Sequence, residues 1–407
     1  MRAAGERFTV GDPLRALAAL GVVGVHIFST LPLTVYGGAP GFDVESVITE
    51  AGFVLTLMFP AGLLLFFVLS GYLITRPFTH AFIEGRDFPP VGRYLRNRVL
   101  RIVPLFWFLI TVLLVAEWVF GWVSVFGNGN TSTSPVDAAA LYGFVQNATD
   151  SPLSLAQLGP GWTLHVELVF YFLVPLAGLL IALSARRLGA RGRCALVVVL
   201  SALIAVASFV LLAEALPADP HDIHWFPTTA YGFMPGVALG ALEPLLAPRI
   251  RAAGPRRLVP LLLLALALAG LLAFALFARQ GDPLTSQIFG ITAVGLVVAA
   301  CLVRQWSGAP AWKALDNPVL QWIGVRSYSV YLLHGTVIAA LYTLPAGGPR
   351  LQLIELSVLA VGGTLALSAL TYRYVERPFL GRRHHLAAEP SEPSEPAPRP
   401  LVSSGAA

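Results

Sequence analysis

Arg15 and His26 lie eleven residues apart on one apolar stretch that opens with Asp12-Pro13. At about 100° per residue, eleven steps return both side chains to one helix face, roughly 16 Å apart along the axis. If the stretch enters a bilayer near Asp12, Arg15 stands at the membrane edge and His26 near the middle of a hydrocarbon core about 30 Å thick. An imidazole at that depth is costly and is a functional candidate by default, suited to general-base work or to carrying an acyl group. The blander readings are a snorkelling arginine and a histidine that bonds a neighbouring helix.

Other residues have comparable chemistry. Arg98 and Arg101, three apart, can turn two planar guanidinium forks toward one phosphate or pyrophosphate, or can simply set topology. In Phe66-Phe-Val-Leu-Ser70-Gly71-Tyr72 a glycine permits close backbone approach beside a hydroxyl and a phenol. Trp162-Thr-Leu-His165-Val-Glu167-Leu-Val-Phe-Tyr171 places Glu167 and Tyr171 one helical turn apart, with His165 pointing elsewhere. A carboxylate within the first two turns of a spanning helix is hard to explain as packing. Ser327, Tyr331 and His334 follow i, i+4, i+7 and draw a polar stripe that either lines a cavity or bonds neighbouring helices. Glu376-Arg377-Pro378 is open to a structural or a functional reading. His221 and His224 have a metal-compatible spacing without an evident third ligand, so no metal is expected.

These residues need membrane helices to position them. The chain has 407 residues, of which 56% are hydrophobic and 12% charged, too apolar for a soluble protein of this size. Stretches of about twenty apolar residues predict ten spans, near 13-35, 53-75, 99-120, 162-183, 194-216, 228-247, 258-278, 284-303, 322-344 and 351-374. The weakest is 228-247, which carries Tyr231, Pro235 and Glu243. The formal charge of +5 is distributed by side: six arginines fall between Arg76 and Arg101, four between Arg186 and Arg193 and four between Arg249 and Arg257. The connections 36-52, 121-161 and 217-227 contain no Lys or Arg. This positive-inside alternation predicts an all-α polytopic bundle with both termini cytoplasmic, and it accounts for the basic charge without a nucleic-acid partner.

Cys194 and Cys301 both fall in or beside spans, which excludes a disulfide framework. Arg15 and His26, with no convincing cleavage site after them, mark the first segment as a retained helix rather than a signal peptide. Residues 121-161 form the longest external connection, a plain linker or an outer lid, and carry sequons at Asn130 and Asn147. Residues 1-383 read as one membrane domain, and 384-407, rich in Pro, Ser and Glu, as a disordered cytoplasmic tail.

Together the segments resemble the integral-membrane acyltransferase family 3, in the form without a C-terminal hydrolase-like domain. The resemblance is carried in family order by Asp12-Pro-Leu-Arg15 with His26, Phe66 to Tyr72, Arg98-Val-Leu-Arg101-Ile-Val-Pro104, Trp162 to Tyr171, Ser327 to His334, and Tyr374-Val-Glu-Arg-Pro-Phe379. Pro13 stands where a glycine is usual, and Gly335-Thr336 follows His334 where a proline is frequent. The resemblance implies ten core helices in a bacterial cytoplasmic membrane. It also implies O-acyl transfer, often of acetyl, from cytoplasmic acyl-CoA to a hydroxyl of a sugar, glycan or secondary metabolite such as a macrolide. It places function at Arg15 and His26 and at Arg98 and Arg101.

On this reading His26 is the general base, or the carrier of the acyl group. Glu167 orients the imidazole or binds the acceptor, across a gap of roughly 5 to 8 Å. Arg15, Arg98 and Arg101, with Ser70 and Tyr72, hold acyl-CoA, expected to be acetyl-CoA. Tyr331, His334 and Trp162 face the hydroxyl-bearing acceptor, and Tyr72 or Tyr331 steadies the developing oxyanion. A proton-coupled exporter is the rival, since intramembrane His and Glu also relay protons.

Overall fold

The computed structural model describes residues 8–35, 44–120, 133–146, 161–185, 187–218, 224–255, 257–341 and 349–385. Both sequons, His221 and residues 386–407 lie outside these, as does most of the connection 121–161. No strand occurs among the described residues.

The order is α1 (Gly11–Val35), α2 (Val44–Glu84), α3 (Val91–Phe120), α4 (Pro135–Tyr142), α5 (Trp162–Ser184) and α6 (Ala190–Ala218). There follow α7 (Phe226–Thr229), a 3₁₀ turn (Ala230–Gly232), α8 (Met234–Ala253), α9 (Leu258–Arg279) and α10 (Pro283–Trp306). The chain continues with α11 (Pro318–Val325), α12 (Ser327–Leu341), α13 (Pro349–Thr371), a π-helical turn (Tyr372–Glu376) and α14 (Arg377–His385). Seven helices among the described residues are long and apolar enough to cross a membrane, and the pair Phe226–Gly232 and Met234–Ala253, bent by 47°, makes eight. The chain is a multi-pass membrane protein. Two of the expected spans are broken: 228-247 at this bend, and 322-344 at Arg326, between α11 and α12.

Local chemistry explains where helices start. Proline suits the first turn, where its missing N–H costs nothing, and a short polar side chain before it caps the exposed amides. Asp282 accepts from the Thr285 amide at 3.0 Å ahead of Pro283, and Asn317 from the Val319 amide at 2.8 Å ahead of Pro318. Ser134 and Asp137 close a capping box on α4. The Glu117 carboxylate receives both the amide and the hydroxyl of Thr133, and Trp118 Nε1 donates to the Thr133 carbonyl, fastening this segment to the end of α3.

α2 is the central helix, with α1, α5, α6, α8, α9 and α10 packed against it. α9 lies at the periphery, and leucines 258, 261, 262, 266 and 268 present an exposed apolar face fit for lipid. Glycines set the α2–α8 crossing: a Cβ at Gly236 would land on the Val68 carbonyl, and one at Gly71 on the Phe233 carbonyl. Gly236→Ala is therefore expected to cost roughly 1–3 kcal/mol, because the obstacle is backbone and cannot rotate away. A Cβ at Gly362, inside α13, meets nothing within 4 Å, so Gly362→Ala should not lower the melting temperature in detergent.

Candidate active site

α1, α2, α3, α5 and α12 converge on one cavity of about 70 Å³. Its polar lining is Arg15 from α1, Ser70 from α2, Arg98 and Arg101 from α3, Thr163, Glu167 and Tyr171 from α5, and Ser327, Tyr328 and Tyr331 from α12. Six of the expected site residues therefore share one cavity: Arg15, Ser70, Arg98, Arg101, Glu167 and Tyr331.

Helix periodicity delivers them. Glu167 and Tyr171 share a face, and the Tyr171 hydroxyl donates to Glu167 Oε1 at 2.7 Å while Ser70 Oγ donates to the same oxygen at 3.1 Å. Arg98 lies over the rings of Tyr171 and Tyr94, at 5.3 and 5.4 Å from their centroids. Such stacking holds a guanidinium plane in place while leaving its edge N–H groups for a ligand. Arg15 is 3.6 Å from Asp12. Three guanidinium groups and one carboxylate line the cavity, so its walls carry excess positive charge in a poorly solvated space. That imbalance favours an anion with several oxygens.

The imidazole pair stands further along the same helices. From Arg15 to His26 α1 climbs roughly 16 Å, and from Ser327 to His334 α12 climbs about 10 Å. Both ascend from the arginine-lined end, and at the top His26 Nδ1 is 3.2 Å from His334 Nε2, with ring centroids 4.9 Å apart. His26 Nδ1 is also 3.0 Å from the Val22 carbonyl, and His334 Nδ1 is 2.6 Å from the Tyr331 carbonyl. His334 is fully buried. Tyr331 links the two regions: its ring lies 5.8 Å from that of His334, and its hydroxyl is 2.8 Å from Thr163 Oγ1.

Three expected residues sit differently. The Glu167 carboxylate is engaged by Ser70 and Tyr171 among the arginines, and His26 bonds across helices to His334. Tyr72, two residues beyond Ser70, faces the other side of α2 and donates to Glu243 Oε2 at 2.7 Å. Trp162 packs its ring against His224 at 4.7 Å and Phe67 at 6.4 Å, and of these Phe67 lines the cavity.

The sequence reading missed the cluster that Tyr72 joins. Glu243 takes a two-pronged ion pair from Arg76 at 2.7 and 2.8 Å, with His80 at 3.1 Å and Trp306 at 3.3 Å. The signal was present, since Tyr72, Arg76 and His80 are spaced by four on one face of α2 and Glu243 interrupts an apolar stretch. This cluster ties α8 and α10 to α2 on the face opposite Ser70. Thr163 and Tyr328 were also missed; Tyr328 donates to the Ile102 carbonyl at 2.7 Å and holds α12 against α3. No group of three or more His, Cys, Asp or Glu side chains able to hold a metal ion occurs among the described residues.

A family model described as an acyltransferase domain matches residues 12–373. The peptidoglycan O-acetyltransferase OatA of Listeria monocytogenes is 25% identical over 386 residues, covering 90% of this chain and 55% of that protein. A Bacillus subtilis protein provisionally named peptidoglycan O-acetyltransferase YrhL is 26% identical over 379 residues, covering 84% of this chain and 54% of that protein. The chain thus spans about half the length of these curated relatives. No solved structure matches.

Proposed function

The chain belongs to the acyltransferase domain family, and from that premise we propose that it moves an acyl group, acetyl first among candidates, from cytoplasmic acyl-CoA to a hydroxyl of a glycan or smaller metabolite. The observation that carries this reading is the cavity in which Arg15, Arg98 and Arg101 outnumber Glu167, at the foot of the helices that bring His26 to His334.

In this mechanism the arginines take the phosphates of CoA, which match guanidinium forks in charge and geometry. The nucleotide lies at the cavity mouth, where the guanidinium forks meet its phosphates, and the slender pantetheine arm enters. Glu167, braced by Ser70 and Tyr171, balances part of the arginine charge before the donor arrives. His26 takes the proton of the acceptor hydroxyl as its oxygen attacks the thioester carbonyl carbon. The tetrahedral oxyanion is met by the Tyr331 hydroxyl. The C–S bond then breaks, and the departing thiolate receives the proton held by His26. An alcohol and a thioester thereby give an ester and a thiol with no metal or redox step.

The relatives' names make an amino-sugar glycan the first acceptor to try. Comparing envelope glycans and secreted metabolites by mass spectrometry, with and without the gene, is expected to show one class losing base-labile O-acyl groups. Identical ester content in both would remove the acyltransferase reading.

A further inference from the structure

The hydrogen bonds at the Nδ1 atoms of the two imidazoles indicate where their protons sit, and we propose that His334 is a positioning residue that, with the Val22 carbonyl, sets the tautomer of His26. The proposal rests on the reading of His26 as the base.

A carbonyl oxygen has no hydrogen to give, so a ring nitrogen bonded to one must itself carry the proton. His334 Nδ1, 2.6 Å from the Tyr331 carbonyl, is therefore N–H. By the same argument His26 Nδ1, 3.0 Å from the Val22 carbonyl, is N–H. A neutral imidazole has one N–H, which leaves a lone pair on His334 Nε2. That lone pair faces the His26 Nδ1–H at 3.2 Å, so the one hydrogen is shared between the Val22 carbonyl and His334. A protonated His334 would point a second hydrogen at the same nitrogen, and its complete burial gives such a cation no water.

The consequence is that the lone pair of neutral His26 lies on Nε2. When Nε2 takes the acceptor proton, the Nδ1–H bond to His334 becomes charge-assisted and strengthens in the transition state. His334 thus occupies the place of the third member of a catalytic triad: it holds the base in one tautomer and supports its cation without taking the proton. The backbone carbonyl of Tyr331 orients His334 in turn, which couples this relay to the residue whose hydroxyl reaches the cavity.

Histidine ¹⁵N spectra of the full chain in lipid test this. The chain has eight histidines, and the resonances lost in His26→Ala identify those of His26. Wild type is expected to show His26 protonated at Nδ1 and bare at Nε2. His334→Leu keeps volume but removes one of the two acceptors that hold this hydrogen, leaving the Val22 carbonyl alone, so His26 should begin to populate the Nε2–H form. The kcat for transfer from radiolabelled acetyl-CoA should fall roughly 10²- to 10⁴-fold, the range for a misplaced base proton, with the KM for acetyl-CoA unchanged. His334→Gln places an amide oxygen near the lost Nε2, and should restore the Nδ1–H form and part of the kcat. A bare Nδ1 on wild-type His26, or a folded His334→Leu with unchanged tautomer and kcat, overturns the proposal. If His334→Leu does not fold, a folded His334→Gln with the wild-type tautomer and no activity overturns it instead. Full transfer by His26→Ala would overturn the general-base reading itself, whereas a His26-dependent enzyme indifferent to His334→Leu overturns only the role of His334.

Discussion

His26→Ala is expected to slow acyl transfer by roughly 10³-fold, within the range for loss of a general base, while the affinity for acetyl-CoA stays as it was. The separation follows from where the residue sits. His26 lies about 16 Å along α1 from Arg15, away from the arginines, and its contacts include the Val22 carbonyl and His334. Truncating it leaves the arginine-lined cavity and its braces on Glu167 in place. The kcat should therefore collapse with little change in KM, while the His334 lone pair left unpaired lowers the melting temperature somewhat. Isothermal titration with acetyl-CoA, run beside the transfer assay, checks both halves. An active His26→Ala would take His26 out of the mechanism, and a variant that no longer binds donor would place His26 in the donor site instead.

Arg98→Gln and Arg101→Gln are each expected to raise the KM for acetyl-CoA roughly 10- to 100-fold, since a charge-assisted hydrogen bond contributes about 1.5–3 kcal/mol. Neither change should harm the fold, because the three guanidinium groups still outnumber Glu167 and Asp12, and removing one relieves the imbalance. Acetyl-pantetheine supplies the control. It keeps the thioester but lacks the nucleotide's phosphates, so wild type and both variants should use it equally poorly. If the variants lose acetyl-pantetheine and acetyl-CoA in the same proportion, the arginines act on something other than those phosphates.

Helical phase made much of the site legible. Arg15, Arg98, Arg101, Glu167 and Tyr331 were each marked by a charge or hydroxyl recurring on one face of an apolar stretch, and all five line the cavity. Tyr72 was grouped with Ser70 by proximity in sequence, yet two residues turn a helix by about 200°, so the phenol faces Glu243 instead. The pairing of His26 with His334 spans 308 positions, and only packing of α1 beside α12 brings it about. Local pattern can name two such residues but cannot join them. Glu167 was expected near the imidazole from its place on its own helix, but depth along one helix does not give lateral position in a bundle. The expected spans follow hydrophobic length, whereas the breaks at Phe233 and Arg326 follow from packing that such a window does not read.

The most direct measurement takes purified full-length protein in nanodiscs with radiolabelled acetyl-CoA and amino-sugar oligosaccharides or a panel of polyhydroxy metabolites, and follows base-labile label on the acceptor. The account predicts that wild type transfers label to a hydroxyl acceptor and that folded His26→Ala, binding acetyl-CoA with wild-type affinity, does not. Equal transfer by the two proteins, or no binding of acetyl-CoA by folded wild type, would contradict it.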